Sequence, residues 1–124
     1  MRWLLCDWEI RTMPRAAKGT VDWAVIDQMV KRIVRRFHPQ QVILFGSQAR
    51  GDAGPDSDVD LLVVMDFEGA ALEMGLEIYQ ALHDRRVPID VIVTRPGDFA
   101  WRKDVVGTIE WPAAREGKVL YARP

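Results

Sequence analysis

The feature that most constrains this chain is a set of three short β-rich runs. They are VILF, ending at Phe45, VDLLVVM, starting at Val59, and IDVIVT, starting at Ile89. Each is too short and too rich in β-branched residues to be a helix, and each is separated from the next by turn residues or a longer helical pattern. Helices alternating with strands predict an α/β (α+β) fold, a short mixed β-sheet with helices packed on it. The 124 residues suffice for one domain with a core of modest size.

Residues 20–37 read as the first helix. Thr20 suits its N-cap and Asp22 its first turn. Ile26, Met29, Val30, Ile33, Val34 and Phe37 recur at helical spacing. Lys31, Arg32, Arg35 and Arg36 gather toward its C-terminus, and Pro39 ends it. Residues 41–45 form a strand, 47–50 a short helix and 51–57 a loop. The second strand, 59–65, is apolar almost throughout and so belongs at the centre of the sheet. Residues 69–86 read as a second long helix whose buried stripe is Leu72, Leu76, Tyr79 and Leu82. Pro88 opens the third strand, 89–94. Residues 99–115 form a mixed, largely helical tail, and 118–121 a final short strand. Residues 1–19 have no clean period and read as an N-terminal arm, leaving 20–124 as the domain. Met13 is a second candidate start, which would make 1–12 an extension.

Net charge is −1, which gives no support for bulk nucleic-acid binding, a property that usually needs a strongly basic face. The one cysteine, Cys6, cannot form an internal disulfide and fits a reducing compartment. No apolar run approaches the roughly 20 residues of a membrane span. Asp7 and Glu9 interrupt the first apolar stretch and spoil a signal-peptide core. A cytoplasmic protein, bound neither to membrane nor directly to nucleic acid, is the expectation.

The chemistry concentrates in LFGSQARGDAGPDSDVDLLV, residues 44–63. Gly46 to Gly51 fits the glycine spacing of a P-loop, but Asp52 and Ala53 stand where Lys and Ser or Thr belong. Asp56, Asp58 and Asp60 begin a calcium-loop pattern, but Leu61 replaces its turn glycine and Phe67 its closing Glu. Asp58 and Asp60, two apart on a strand, project to one face with Cα atoms roughly 7 Å apart. Two such carboxylates repel unless a cation lies between them. Their oxygens suit Mg²⁺, with Mn²⁺ as the alternative. Asp90 is the only acid of the third strand, and completes a cluster if the two strands are neighbours. Three carboxylates can hold two metal ions roughly 4 Å apart, as used for in-line displacement at phosphorus. Gly46 lets backbone approach a ligand closely. The start of the short helix with the Ser47 hydroxyl can cradle phosphate oxygens, and Arg50 adds a bidentate cation. Together these describe a site for a nucleoside triphosphate bound through its metal.

GSQARG, then SDVDLLV, then IDVIV resembles the signature of the DNA-polymerase-β-like nucleotidyltransferase superfamily. The small size and the ending GTIEWPAAREGKVLY resemble its minimal nucleotidyltransferase subgroup, the antitoxins of HEPN/MNT toxin–antitoxin modules. The resemblance implies a single nucleotidyltransferase domain. It makes Asp58 and Asp60 ligands of both metals and Asp90 a ligand that helps activate the attacking hydroxyl. Gly46 and Ser47 would bind the β- and γ-phosphates, with Arg50 on a phosphate or supporting the turn. The reaction implied is transfer of NMP, AMP from ATP, to a hydroxyl, with release of pyrophosphate. Larger family members carry an extra helical domain that grips base or acceptor, and this chain has no room for one. The resemblance therefore implies a hetero-oligomer with an all-helical HEPN-type toxin whose tyrosine is the acceptor. Two alternatives are an antitoxin acting by binding alone and a small-molecule nucleotidyltransferase.

Other conspicuous residues carry plainer readings. Asp52 and Asp56 read as loop residues, the Lys31–Arg36 cluster as a solvated helix face, and His38 and His83 as surface residues. Glu68, Glu73 and Glu77 read as solvent-facing helix charges. The five tryptophans read as core or sheet cover, with some left for a partner interface.

Overall fold

The computed structural model describes residues 23–51, 58–82 and 88–124. The elements in order are α1 (Trp23–Phe37), β1 (Gln41–Phe45), α2 (Ser47–Arg50), β2 (Val59–Val64), α3 (Ala71–Ala81), β3 (Ile89–Thr94), α4 (Pro96–Arg102), α5 (Glu110–Glu116) and β4 (Lys118–Ala122). The expected N-terminal arm, the Thr20 cap, most of the 51–57 loop and the end of the second long helix lie outside the described residues.

The four strands form one sheet in the order β3-β2-β1-β4. β1 runs antiparallel to β2 and β4, whereas β2 and β3 run parallel, so the sheet is mixed. β2 lies inside it, as its largely apolar run requires: Val59, Leu61, Leu62 and Val63 are fully buried.

Strand alternation sorts the side chains into two layers. On one face Val42, Leu44, Val59, Leu61, Val63, Ile89 and Val93 pack with α1 and α3. The α1 contribution is the expected one: Ile26, Met29, Val30, Ile33 and Val34 are buried, with Phe37 half-buried at the edge. On the other face Ile43, Phe45, Leu62 and Val64 meet Ala113 of α5, with Ile92 and Phe99 at the margin. A bulge in the β1–β4 ladder, between Val42 and Ile43, lets the adjacent Leu120 and Tyr121 both be buried on the first of these faces.

Two expectations need correction. The buried stripe of α3 is Gly75, Ile78 and Ala81, followed by Leu82 just past its end. Leu72 (75% exposed), Leu76 (52%) and Tyr79 face outward. Of the expected stripe Leu82 is buried, whereas the other three, also at helical spacing, are rotated from the inner face by roughly one residue's 100° step. Gly75 decides between them: a Cβ there would stand 3.0 Å from the Val91 carbonyl oxygen, so only this face can lie so close on β3. The tail, expected as one mixed stretch, is two short helices with a corner between them. Thr108 makes that corner. Its hydroxyl lies 2.8 Å from the Arg102 and Val105 carbonyl oxygens and accepts from the Trp111 N–H at 3.1 Å. Glu110 then fastens the corner to the sheet, accepting from the Thr94 hydroxyl at 2.8 Å and from Arg102 Nε at 3.1 Å. Of the described tryptophans, Trp23 is buried and Trp101 is exposed.

Candidate active site

The parallel pairing of β2 with β3 builds the acid cluster. Its register sets Asp60 directly beside Asp90, at the ends where both strands begin. Neighbouring strands lie about 4.8 Å apart. Asp60 also pairs with Phe45, the last residue of β1, so the turn leaving β1 arrives at the same place. Asp58 stands just ahead of β2, two residues before Asp60, and its charge is felt at Asp60. Asp58 and Asp90 are exposed and Asp60 is half-buried. The three acids thus stand at the open mouth of the face that α4 and α5 cover further along.

The turn is fitted to the acids. Gly46 has φ 78 and ψ −157, a conformation almost confined to glycine. A Cβ on it would stand 2.4 Å from Asp60 Oδ2. Glycine is therefore required twice, for its backbone angles and for the room it leaves the carboxylate. The Gly46 carbonyl accepts from the Ala49 and Arg50 N–H groups at 3.1 and 3.0 Å, closing the single turn of α2. Ser47 begins that turn and is half-buried. Gly51, at φ 85, ends it and donates to the Ser47 carbonyl at 3.0 Å.

Burial pushes the Asp60 carboxyl above its ordinary value, the repulsion of Asp90 and Asp58 pushes it further, and Arg50 opposes them. Asp60 therefore senses both neighbouring carboxylates, and a hard divalent cation is what the oxygen-only donor set would accept. Among the described residues no three acids or histidines are drawn tightly enough to enclose an ion. The cluster is spread over two adjacent strands, and its two exposed members can turn with little packing cost.

Gly46, Ser47, Arg50, Asp58, Asp60 and Asp90 thus lie at one end of the sheet. The neighbourhood includes one residue that sequence reasoning passed over. Glu116, at the end of α5, reaches Arg50 Nη1 at 3.4 Å. No motif marks it; only the pairing of β4 with β1 brings it there. A cavity of about 220 Å³ lined by Phe67, Arg95, Asp98, Arg102 and Glu110 also includes Thr94, at the far end of β3 from Asp90. None of the candidate site residues lines it. Within that corner Glu110 is 5% exposed, and its Oε1 has no hydrogen-bond partner among the described residues.

The nucleotidyltransferase domain family matches residues 26–112, more than half of the chain, and the chain belongs to that family. No curated protein matches it. Among solved structures it is similar to a nucleotidyltransferase from Sulfolobus solfataricus, with 22% identity and a TM-score of 0.58, over 96% of this chain and 87% of that one. It is also similar to a toxin–antitoxin with AMP-PNP, with 19% identity and a TM-score of 0.53, over 83% and 75%. At these identities the likeness is one of fold. Among the described residues no helix is long and apolar enough to cross a membrane.

Proposed function

We propose that this chain transfers NMP, AMP from ATP, to a hydroxyl of a protein partner, the tyrosine of an all-helical HEPN-type toxin, and thereby acts as its antitoxin. The observation that carries the reading is the side-by-side register of Asp60 and Asp90, with the Gly46 backbone pressed against Asp60. A binding module has no need to set Asp60 against a glycine turn with Asp90 in register beside it. The fold it shares with a toxin–antitoxin holding AMP-PNP is in keeping with this reading.

In the proposed site Asp58, Asp60 and Asp90 would hold divalent cations, Mg²⁺ by the hardness of their oxygens and two of them if the site works as a two-metal clamp. Such ions, when bound, offset charge on the phosphate oxygens and ease deprotonation of the acceptor. Gly46 and Ser47 meet the β- and γ-phosphate oxygens with backbone N–H groups and the Ser47 hydroxyl. Arg50, on the same turn, adds positive charge to that side. The acceptor oxygen attacks the α-phosphorus in line, the bond from that phosphorus to the bridging oxygen breaks, and pyrophosphate leaves. The acceptor's proton passes toward Asp90, exposed at the start of β3.

The test is incubation with the protein encoded beside this one, Mg²⁺ and labelled ATP, comparing wild type with Asp58→Ala/Asp60→Ala. Label on the neighbour that vanishes with the variant is the expected result. Absence of label, with toxicity still suppressed by the variant, would instead establish neutralisation by binding alone.

A further inference from the structure

Arg50 is tied to a residue 66 positions away in sequence: its Nη1 donates to Glu116 Oε1 at 3.4 Å. Both side chains are 44% exposed. An exposed pair of this length contributes little to stability, so its location matters more than its strength. Arg50 ends the turn that follows Gly46, and its charge is felt at Asp60.

The other end of the pair is held by rigid structure. Glu116 closes α5, and the next residue, Gly117, has no room for a side chain. A Cβ there would stand 2.2 Å from the Ala113 carbonyl oxygen, 2.6 Å from Ile43 Cγ2 and 3.0 Å from the Leu44 carbonyl oxygen. The Gly117 N–H donates to Ala113 O at 3.0 Å, and the chain enters β4, where Lys118 pairs with Leu44. The backbone at 116–117 is thus pressed onto the strand that leads, two residues later, into Gly46. Glu116 is delivered beside the turn by a glycine contact and a strand register, while Arg50 reaches it on a long flexible side chain.

We propose that Glu116 is a positioning residue that fixes the Arg50 guanidinium beside the Gly46–Ser47 turn, so that Arg50 meets the triphosphate already oriented. This inference rests on the reading that a nucleoside triphosphate binds at that turn. Long side chains such as arginine lose much rotamer freedom when they engage a ligand, and ordering them beforehand improves affinity. The acid does this without touching the nucleotide.

Titration calorimetry with Mg-ATP tests it on wild type, Glu116→Gln, Glu116→Asp, Arg50→Gln and the Arg50→Gln/Glu116→Gln double variant, each with its melting temperature. Glu116→Gln should weaken binding about threefold, the most that an exposed pair of this kind can contribute by ordering Arg50, and Arg50→Gln about tenfold, with the double variant no weaker than Arg50→Gln alone, since one acts through the other. Glu116→Asp should recover most of the affinity, and all melting temperatures should stay near wild type. In the transfer assay Glu116→Gln should raise KM for ATP with kcat nearly unchanged. Wild-type affinity in Glu116→Gln, beside weakened Arg50→Gln, would overturn the positioning role and leave the nucleotide site standing. Fully additive losses in the double variant would overturn it too. A wild-type protein that binds no Mg-ATP would remove the site itself, and the inference with it.

Discussion

Gly46 is the residue on which the site geometry turns. A methyl group there must contend with both a positive φ and the Asp60 carboxylate 2.4 Å away. Gly46→Ala should cost about 2 kcal/mol of stability, the scale of backbone strain at a glycine-only conformation. Its transfer rate should fall about a hundredfold, because displacing a reacting group by about 1 Å has effects of that order. A melting curve and a transfer assay on the same preparation measure both. Asp60 supports a second prediction. Its folded-state carboxyl is raised, first by burial and then by Asp90 and Asp58. As pH rises past the ordinary carboxylate value, the unfolded chain gives up that proton first, so stability falls until pH passes the raised value. In chelator, wild type should therefore lose melting temperature relative to Asp60→Asn across that window, and the variant should be the more stable near neutrality. Adding Mg²⁺ should raise the wild-type melting temperature and leave Asp60→Asn nearly unmoved, because only a folded state that binds the ion is stabilised by it. Asp58 and Asp60 stood out in sequence as acids at the head of an apolar strand, although Asp58 lies just ahead of β2 rather than in it. Glu116 was not, because nothing local distinguishes it from any other glutamate at a helix end.

Among the elements, the strands were the most legible. β1 and β3 span the expected residues because β-branched runs bounded by Pro and Gly leave few other conformations. α3 was legible as a helix but not in its orientation. Leucines at helical spacing looked like the inner face, yet the inner face is built partly from Gly75 and Ala81, whose value is their small size. Ile78→Ala should therefore cost about 3 kcal/mol, as expected for a fully buried aliphatic residue, and Leu76→Ala less than about 0.5 kcal/mol. Denaturant unfolding of the two variants distinguishes the faces. The α4–α5 corner escaped the sequence reading for another reason: its anchor is a buried acid. Glu110 is held by Thr94 and Arg102, partners 16 and 8 residues away. Glu110→Ala should cost about 2 kcal/mol by leaving both donors without their acceptor, again read from denaturant unfolding.

For the whole molecule, the order β3-β2-β1-β4 explains why a small chain can hold a site at all. α1 and α3 bury one face and α4 and α5 the other, and the start of β2 and β3 remains open with exposed Asp58 and Asp90. The sheet also makes β4 indispensable: it covers one edge of β1 and contributes the buried Leu120 and Tyr121. Deleting residues 118–124 should abolish cooperative unfolding, which circular dichroism in denaturant would report, since both the edge ladder and these core side chains would be lost.

The β1–β4 pairing has a consequence in the order of synthesis. Gly46, Ser47, Arg50, Asp58 and Asp60 lie within 15 consecutive residues, whereas β4 is the final described strand. On the ribosome the acids and the glycine turn emerge well before Glu116 and the strand that seats it. A nascent chain halted before Glu116 would carry the acids and the glycine turn without the α5 carboxylate beside Arg50, and the edge of β1 exposed to other chains.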